Sequence, residues 1–125
     1  MVQKIVVHGY KEFQDQVNSP ELKGKTKYCM FSGDKDESTG ISWCPDCVTY
    51  EPVVRKAMEE LKDDTAVYIY CLVGGRSYWK DRQNEFRTDA KLMLTGVPTF
   101  MKYGTKKKLV EDQLNADMIE MMLED

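Results

Sequence analysis

The sequence lacks several features that would assign it to familiar classes of protein. It has a single histidine, His8, so a metal site built on several histidines is excluded. It has no excess of positive charge, since the formal net charge is −3, and this argues against a nucleic-acid binder. No apolar run approaches the roughly 18 residues of a membrane span. The N-terminal residues also lack the apolar core of a secretory signal. We therefore expect a cytoplasmic protein that binds neither nucleic acid nor membrane.

What the chain does have is enough apolar residues for a folded domain. Its 125 residues are 42% hydrophobic, which predicts one domain over residues 1–125 with a core of ordinary size. Such a chain needs no disulfide framework to stay folded, so its four cysteines require another explanation. In the reducing cytosol, paired cysteines are more often catalytic than structural.

The apolar patterning predicts strands that alternate with helices. Strands are predicted at residues 5–7, 28–31, 67–73 and 97–103, with a hairpin partner at 108–111. Helices are predicted over residues 10–17, from about 44 to 61, and after an N-cap at Asn115; residues 76–95 are expected to form loops and short helix. The polar segment 33–40 is bounded by glycines and is expected to be a loop. This order predicts an α/β fold, in which helices cover both faces of a central mixed sheet.

The most informative segment is Trp43-Cys44-Pro45-Asp46-Cys47, placed where a strand gives way to a helix. Two cysteines three positions apart on a helix have Cα atoms about 5 Å apart. A disulfide accepts Cα separations of about 4.4–6.8 Å, so this pair can open and close with little backbone movement. The spacing predicts a redox-active dithiol.

The start of a helix also activates one of the two sulfurs. Free N–H groups and the helix dipole favour negative charge there, and they lower the pKa of a cysteine from about 8.5 into the range of roughly 3.5–7.5. We expect Cys44, at the exposed helix edge, to attack disulfides, and Cys47, one turn inward, to resolve the mixed disulfide. Pro45 fits the first turn but offers no N–H, and the charge of Asp46 opposes a neighbouring thiolate only weakly.

A half zinc site is the competing interpretation of the same two cysteines. Zinc needs four ligands, and its usual signature is two such pairs at matched spacing. The other cysteines, Cys29 and Cys71, lie inside apolar strand segments and are expected to be core residues. We therefore predict no metal.

Three further features resemble the thioredoxin superfamily. Trp43 precedes the cysteine pair, Pro52 follows the first cysteine by eight residues, and Val97-Pro98-Thr99 opens a later strand. The last segment is similar to the cis-proline loop of that family. The resemblance implies a thioredoxin fold, in which the Val97 backbone pairs with the bound substrate and Pro98 lies against the sulfurs. Trp43, Pro45 and Asp46 would border the same substrate site.

A narrower resemblance covers essentially the whole chain. The Cys-Pro-Asp-Cys motif, the long polar insertion before it, and Tyr68-Ile69-Tyr70-Cys71 resemble the family of 14-kDa thioredoxin-related proteins. The resemblance implies a cytosolic, monomeric disulfide reductase that binds no cofactor. Thioredoxin reductase would recharge it with electrons from NADPH. Cystine and a dynein light chain are among the substrates so implied.

Two departures from ordinary thioredoxin leave questions open. The strand before the motif carries Met30-Phe31, with no acid where thioredoxin buries an aspartate for proton transfer to the resolving cysteine. Asp46 or water could serve instead. The insertion at residues 33–40 is either a solvated loop or a gate at the substrate groove.

Two other functions compete with that of a reductase. One is a thioredoxin-fold adaptor that docks partners without turnover, although an adaptor has no need of both Cys44 and Cys47. The other is an oxidant or isomerase of a secretory compartment, which the absence of a signal sequence disfavours.

Overall fold

The computed structural model describes residues 2–124, and its framework is a five-stranded sheet in the order β1-β3-β2-β4-β5. The strands are β1 (Gln3–His8), β2 (Thr26–Ser32), β3 (Ala66–Leu72), β4 (Thr99–Lys102) and β5 (Lys108–Val110). Each strand lies where the sequence predicted one, and β4 and β5 form the expected hairpin.

The directions of the strands determine where the site lies. β3 runs parallel to both β1 and β2, and every one of its residues is buried. β4 pairs with β2 in the antiparallel direction, so the sheet is mixed, as predicted. In the parallel register, His8 and Ser32 both align with Leu72. The chain therefore leaves three strands at one edge, and the loops there can meet.

Helices cover both faces of the sheet, as predicted from the alternating pattern. They are α1 (Gly9–Val17), α2 (Pro45–Glu60), α3 (Arg76–Lys80), α4 (Glu85–Thr88) and α5 (Ala116–Leu123), with 3₁₀ turns at Pro20–Leu22 and Glu111–Gln113. Side chains of α1, α3 and α4 pack on one face. Most buried apolar side chains of α2, and those of α5, pack on the other, while Cys47 at the start of α2 belongs to the first layer. Within residues 2–124, no helix combines the length and apolarity needed to cross a membrane.

The last helix buries only part of its apolar surface. Asn115 caps α5 as predicted, because its side chain accepts a hydrogen bond from the Met118 N–H at 2.9 Å. Ile119 and Met122 are buried against the sheet, but the Met118 side chain is exposed. One residue step turns a helix by about 100°, so Met118 points away from the face that Ile119 presents to the core.

Candidate functional site

Cys44 and Cys47 form a disulfide at the N-terminus of α2, next to the edge where the parallel strands end. Their Cα atoms are 5.2 Å apart, which agrees with the separation expected from helix geometry. The predicted pairing of the two cysteines is therefore present.

The backbone supplies hydrogen bonds to both sulfurs. Cys44 is the N-cap of α2, and its Sγ accepts a bond from the Cys47 N–H at 3.2 Å. This sulfur occupies the position that a serine or aspartate oxygen usually takes at a helix start. The Gly33 N–H points at Cys47 Sγ from 3.5 Å. An N–H directed at a sulfur favours its negatively charged form, so both sulfurs have support as thiolates.

The burial of the pair corrects one expectation. Cys44 was expected at an exposed helix edge, but only 5% of its surface is exposed, against 1% for Cys47. The ranking of the two was right, and the degree of exposure of Cys44 was wrong. The physical reason is the loop before β4, which places the Val97 carbonyl oxygen 3.6 Å from Cys44 Sγ. Pro45 and Asp46 do remain exposed.

The loop that covers Cys44 contains a cis peptide bond between Val97 and Pro98, as the resemblance implied. Two hydrogen bonds hold it: the Pro98 carbonyl accepts from the Glu111 N–H at 2.8 Å, and the Thr99 hydroxyl donates to the Gly96 carbonyl at 2.6 Å. The Val97-Pro98 segment follows the cysteine pair by about fifty residues in the sequence, and the fold brings the two segments together.

Trp43 is held on several sides beside the pair. Its indole N–H donates to the Gly74 carbonyl at 2.9 Å, and its carbonyl accepts from the Arg76 guanidinium at 3.1 Å. The same guanidinium carbon lies 5.6 Å from the centre of the indole ring. The ring also lies against Gly33, where a Cβ would come within 2.5 Å of the indole. Trp43 is therefore half-buried and fixed in place.

The insertion at residues 33–40 is a loop, as predicted, and it is closed on itself. The Asp36 carboxylate accepts bonds from the Ser38 and Thr39 N–H groups at 2.8 and 3.2 Å. A backbone bond from Asp36 to the Ile41 carbonyl, 2.9 Å long, joins the two sides. The Ser38 hydroxyl, followed by these two N–H groups, lowers the pKa of Asp36. Although exposed, the loop is ordered by its own side chains.

Cys29 and Cys71 are fully buried in the sheet, as predicted for core residues. Burial raises the pKa of both thiols well above the ordinary range for cysteine. A thiol that stays protonated is a poor nucleophile, so neither is suited to the exchange chemistry of the pair. Within residues 2–124, no three His, Cys, Asp or Glu side chains are grouped as metal ligands.

Three residues near the site were missed by the sequence analysis. Arg76 and Asp34 hold Trp43 and Gly74, and no local motif marks them. Glu51 is buried in α2 one turn after Cys47. Its signal was present in the sequence, because residues 47, 51, 54 and 58 repeat at helical spacing and form the buried stripe of α2.

The mixed sheet, the Cys-Pro-Asp-Cys pair at a helix start and the facing cis-proline together define a protein of the thioredoxin-fold class with a redox-type cysteine pair. The family model for the thioredoxin domain of proteins like thioredoxin domain-containing protein 17 matches residues 6–125. The chain belongs to this family.

Individual relatives agree with that assignment. Thioredoxin domain-containing protein 17 of Danio rerio is 52% identical over 96% of this chain and 94% of its own length. The Homo sapiens protein of that name is 46% identical over the same shares. The thioredoxin-like protein Clot of Arabidopsis thaliana is 38% identical over 72% of this chain and 66% of its own length. The similarity to the first two proteins extends over nearly the whole chain.

Proposed function

We propose that this chain is a thiol-disulfide oxidoreductase that reduces disulfides through Cys44 and Cys47. The observation that carries the proposal is the arrangement of the pair: Cys44 Sγ caps α2, accepts the Cys47 N–H and faces the loop of cis-Pro98. A structural disulfide has no need of a sulfur stabilised as a thiolate, whereas a nucleophile does.

The reaction proceeds in two exchanges. The Cys44 thiolate attacks one sulfur of the substrate disulfide, so a Cys44–substrate bond forms and the other substrate sulfur leaves as a thiolate that takes up a proton. Cys47 then loses its proton and attacks Cys44 Sγ, which releases the second substrate thiol. The substrate gains two electrons and two protons, and the Cys44–Cys47 disulfide of the oxidised protein remains.

The surface around the pair suits an extended disulfide substrate. The Val97 carbonyl oxygen lies 3.6 Å from Cys44 Sγ, and the backbone of this loop at Val97 and Pro98 would pair with a bound chain and align its disulfide with Cys44. Trp43 borders one side of this site, and the exposed side chains of Pro45 and Asp46 border another. These five residues would determine which disulfides reach Cys44.

The electron source and the substrates are part of the same proposal. Thioredoxin reductase, using NADPH, would return the pair to the dithiol, and the chain itself would bind no cofactor. Cystine and the disulfide of a dynein light chain are candidate substrates, and the cytoplasm is the candidate compartment, with the protein acting as a monomer. These assignments rest on the resemblance to the 14-kDa thioredoxin-related proteins that the Cys-Pro-Asp-Cys motif and the polar insertion carry.

The test is a coupled assay of cystine reduction with thioredoxin reductase, in which loss of NADPH absorbance reports turnover. Cys44→Ser and Cys47→Ser are each expected to abolish turnover, because every cycle needs Cys44 to attack the substrate and Cys47 to resolve the mixed disulfide. Cys47→Ser should also accumulate a mixed disulfide at Cys44 that mass spectrometry detects. Cys29→Ala is the matched control, since this buried thiol lies outside the site, and its turnover should equal that of the wild type.

Turnover that survives Cys44→Ser would refute the assignment of the nucleophile. A wild-type protein that binds its partners but reduces neither cystine nor a protein disulfide would instead be an adaptor. The two outcomes are separated by the same assay, because the first shows activity and the second shows none.

A further inference from the structure

Glu51 is a carboxylic acid at a position where the helix pattern calls for an apolar residue. The buried stripe of α2 consists of Cys47, Glu51, Val54 and Met58. Only 9% of the surface of Glu51 is exposed, and an ionisable side chain is rarely buried to that extent unless it is fully paired. Its place in the stripe therefore requires an explanation.

The two carboxylate oxygens of Glu51 have different surroundings. Oε1 accepts a hydrogen bond from the Arg55 guanidinium at 3.2 Å, and the Arg55 side chain is 46% exposed. Oε2 is buried and has no hydrogen-bond partner among the described residues. Leaving a buried carboxylate oxygen unpaired destabilises the fold, because the lost hydration of that oxygen is not replaced by a hydrogen bond. Arg55 pairs with only one of the two carboxylate oxygens. Stabilisation of the fold alone therefore does not explain why a glutamate occupies this buried position.

The sheet opposite Glu51 carries further polar groups in an otherwise apolar layer. The Tyr68 hydroxyl has no partner within residues 2–124, and Ser32 Oγ faces the Tyr70 phenol without meeting hydrogen-bond geometry. Burial chiefly, with the negative charge of Glu51 next, raises the pKa of Tyr68, so this phenol stays protonated near neutral pH. Glu51, Tyr68, Tyr70 and Ser32 form a cluster of buried polar groups beneath α2.

Few charged groups lie near this polar cluster. Arg55 belongs to α2 itself, and the Lys4 ammonium lies 5.7 and 5.3 Å from the ring centres of Tyr68 and Tyr70. Lys35 lies 5.6 Å from the Tyr70 ring. The 3₁₀ turn and the helix α5 that also pack on α2 carry exposed carboxylates: Glu111, Asp112, Asp117 and Glu120. Glu51 is thus the buried acid of this layer.

The same helix places Glu51 on the Cys47 side. Residues four apart lie one above the other on a helix face, with Cβ atoms about 5–6 Å apart. Side chains on a helix also lean toward its N-terminus, so Glu51 extends over the turn that holds Cys47. Asp46 does not share this face and is exposed. Met30 of β2 lies in the segment where thioredoxin buries its aspartate, and a methionine side chain cannot accept a proton.

We propose that Glu51 is the internal proton acceptor for Cys47. This inference rests on the proposed reductase function and deepens it, because it supplies the base that the second exchange requires. It also replaces Asp46 in that role.

The proton transfer belongs to the resolving step. With substrate bound to Cys44, the Cys47 S–H bond breaks and the proton passes to Glu51 Oε2, directly or through one water molecule. The Cys47 thiolate attacks Cys44 Sγ, the Cys44–substrate S–S bond breaks, and the Cys44–Cys47 bond forms. The substrate sulfur leaves with the electron pair and takes up a proton, either the one held by Glu51 or one from solvent. In the second case Glu51 releases its own proton to water, so by either route Glu51 ends the cycle ionised again.

The experiment separates the two exchanges in time. Reduced protein is mixed in a stopped-flow instrument with an aromatic disulfide whose released thiolate absorbs light. The first release reports attack by Cys44, and the second reports resolution by Cys47; Cys47→Ser identifies the second phase by removing it. In Glu51→Gln, we expect the first phase to be unchanged within about twofold and the second to slow at least about tenfold at pH 7.

The pH profile distinguishes a proton acceptor from a structural residue. In Glu51→Gln, the rate of the second phase should rise only toward the ordinary thiol pKa of about 8.5, whereas the wild type should already be fast at lower pH. Glu51→Met, which fills the stripe with an apolar side chain, should show the same slow second phase. Glu59→Gln is the matched control, because Glu59 is an exposed glutamate of the same helix, and both phases should equal the wild type.

Two results would overturn the inference. One is a second phase in Glu51→Gln and Glu51→Met with the wild-type rate and pH profile; the other is an equal slowing of both phases, which would mean that Glu51 only supports the shape of the site. If the wild-type protein showed no first phase, the reductase function itself would be refuted. This outcome can be distinguished from a failure of the Glu51 proposal, because the first phase reports attack by Cys44 and precedes any proton transfer to Glu51.

Discussion

Gly33 and Trp43 are the pair of residues whose contact most directly shapes the surface beside Cys44. The indole lies so close to the Gly33 backbone that a Cβ there would come within 2.5 Å of its ring. The ring cannot retreat freely, because its N–H is bonded to the Gly74 carbonyl and Arg76 holds its backbone carbonyl. Gly33 also donates its N–H to Cys47 Sγ, so one residue supports both the tryptophan and the resolving sulfur.

We expect Gly33→Ala to displace the Trp43 indole. Overpacking of this kind typically costs about 1–3 kcal/mol, so the free energy of unfolding in urea should fall by that amount. Tryptophan fluorescence should change in the folded protein, and cystine reduction should slow. Gly75→Ala is the control, since no atom lies within 4 Å of its Cβ position. An unchanged fluorescence spectrum in Gly33→Ala would show that the contact does not hold the ring.

At the scale of elements, the loop between β2 and α2 is organised by one carboxylate. Asp36 accepts bonds from both the hydroxyl and the N–H of Ser38 and from the Thr39 N–H. Its neighbour Asp34 bonds to Gly74, the residue that also receives the Trp43 indole N–H. The loop is therefore connected to the site through backbone groups, which gives it a means of influencing which substrates approach.

The order of this loop should depend on pH in the acid range. The pKa of Asp36 is lowered in the folded protein, chiefly by the Ser38 hydroxyl, from an unfolded value of about 3.9. A lowered folded pKa contributes stability that is fully present above the unfolded value and is lost as the pH falls through the folded one. We expect the hydrogen-exchange protection of the Ser38 and Thr39 amides, measured by NMR, to fall below about pH 4.

Asp36→Asn is the control for this effect. Its side-chain carbonyl can still accept the same bonds but does not ionise, so the protection of the two amides should stay constant across the acid range. A wild-type loop whose protection also stays constant below pH 4 would show that ionised Asp36 does not order it.

At the scale of the whole molecule, the sheet divides the core into two layers. Ile69 lies in the layer under α1, α3 and α4, and Ile119 of α5 lies in the opposite layer with Met58 and Phe100. Both isoleucines have no exposed surface. Because the sheet separates them, a loss of packing on one face leaves the contacts on the other intact.

Substitutions in the two layers should therefore be additive. Ile69→Val and Ile119→Val should each lower the free energy of unfolding by about 0.5–1.5 kcal/mol, since each removes one buried methyl group. The double variant should lose the sum of the two within about 0.5 kcal/mol, as measured by urea denaturation. A larger coupling energy would mean that the two layers rearrange together.

The strands, the long helix and the cysteine pair could be predicted from the sequence because each depends on neighbours a few residues apart. A compact apolar run marks β2, and helical spacing marks α2 and α5; the start of α2 alone accounts for the separation of Cys44 and Cys47. The cis-proline loop was recognised through its resemblance to a family, since Val97-Pro98 by itself does not reveal what it faces.

Only the tertiary structure decided the surroundings of these groups. It covers Cys44 with the Val97 carbonyl, fixes Trp43 through Gly74 and Arg76, and leaves one oxygen of Glu51 without a partner among residues 2–124. Each of these contacts joins segments that are distant in sequence or depends on how α2 settles on the sheet. Burial and hydrogen-bond partners are properties of the packed chain, because they depend on which other segments exclude water from a side chain.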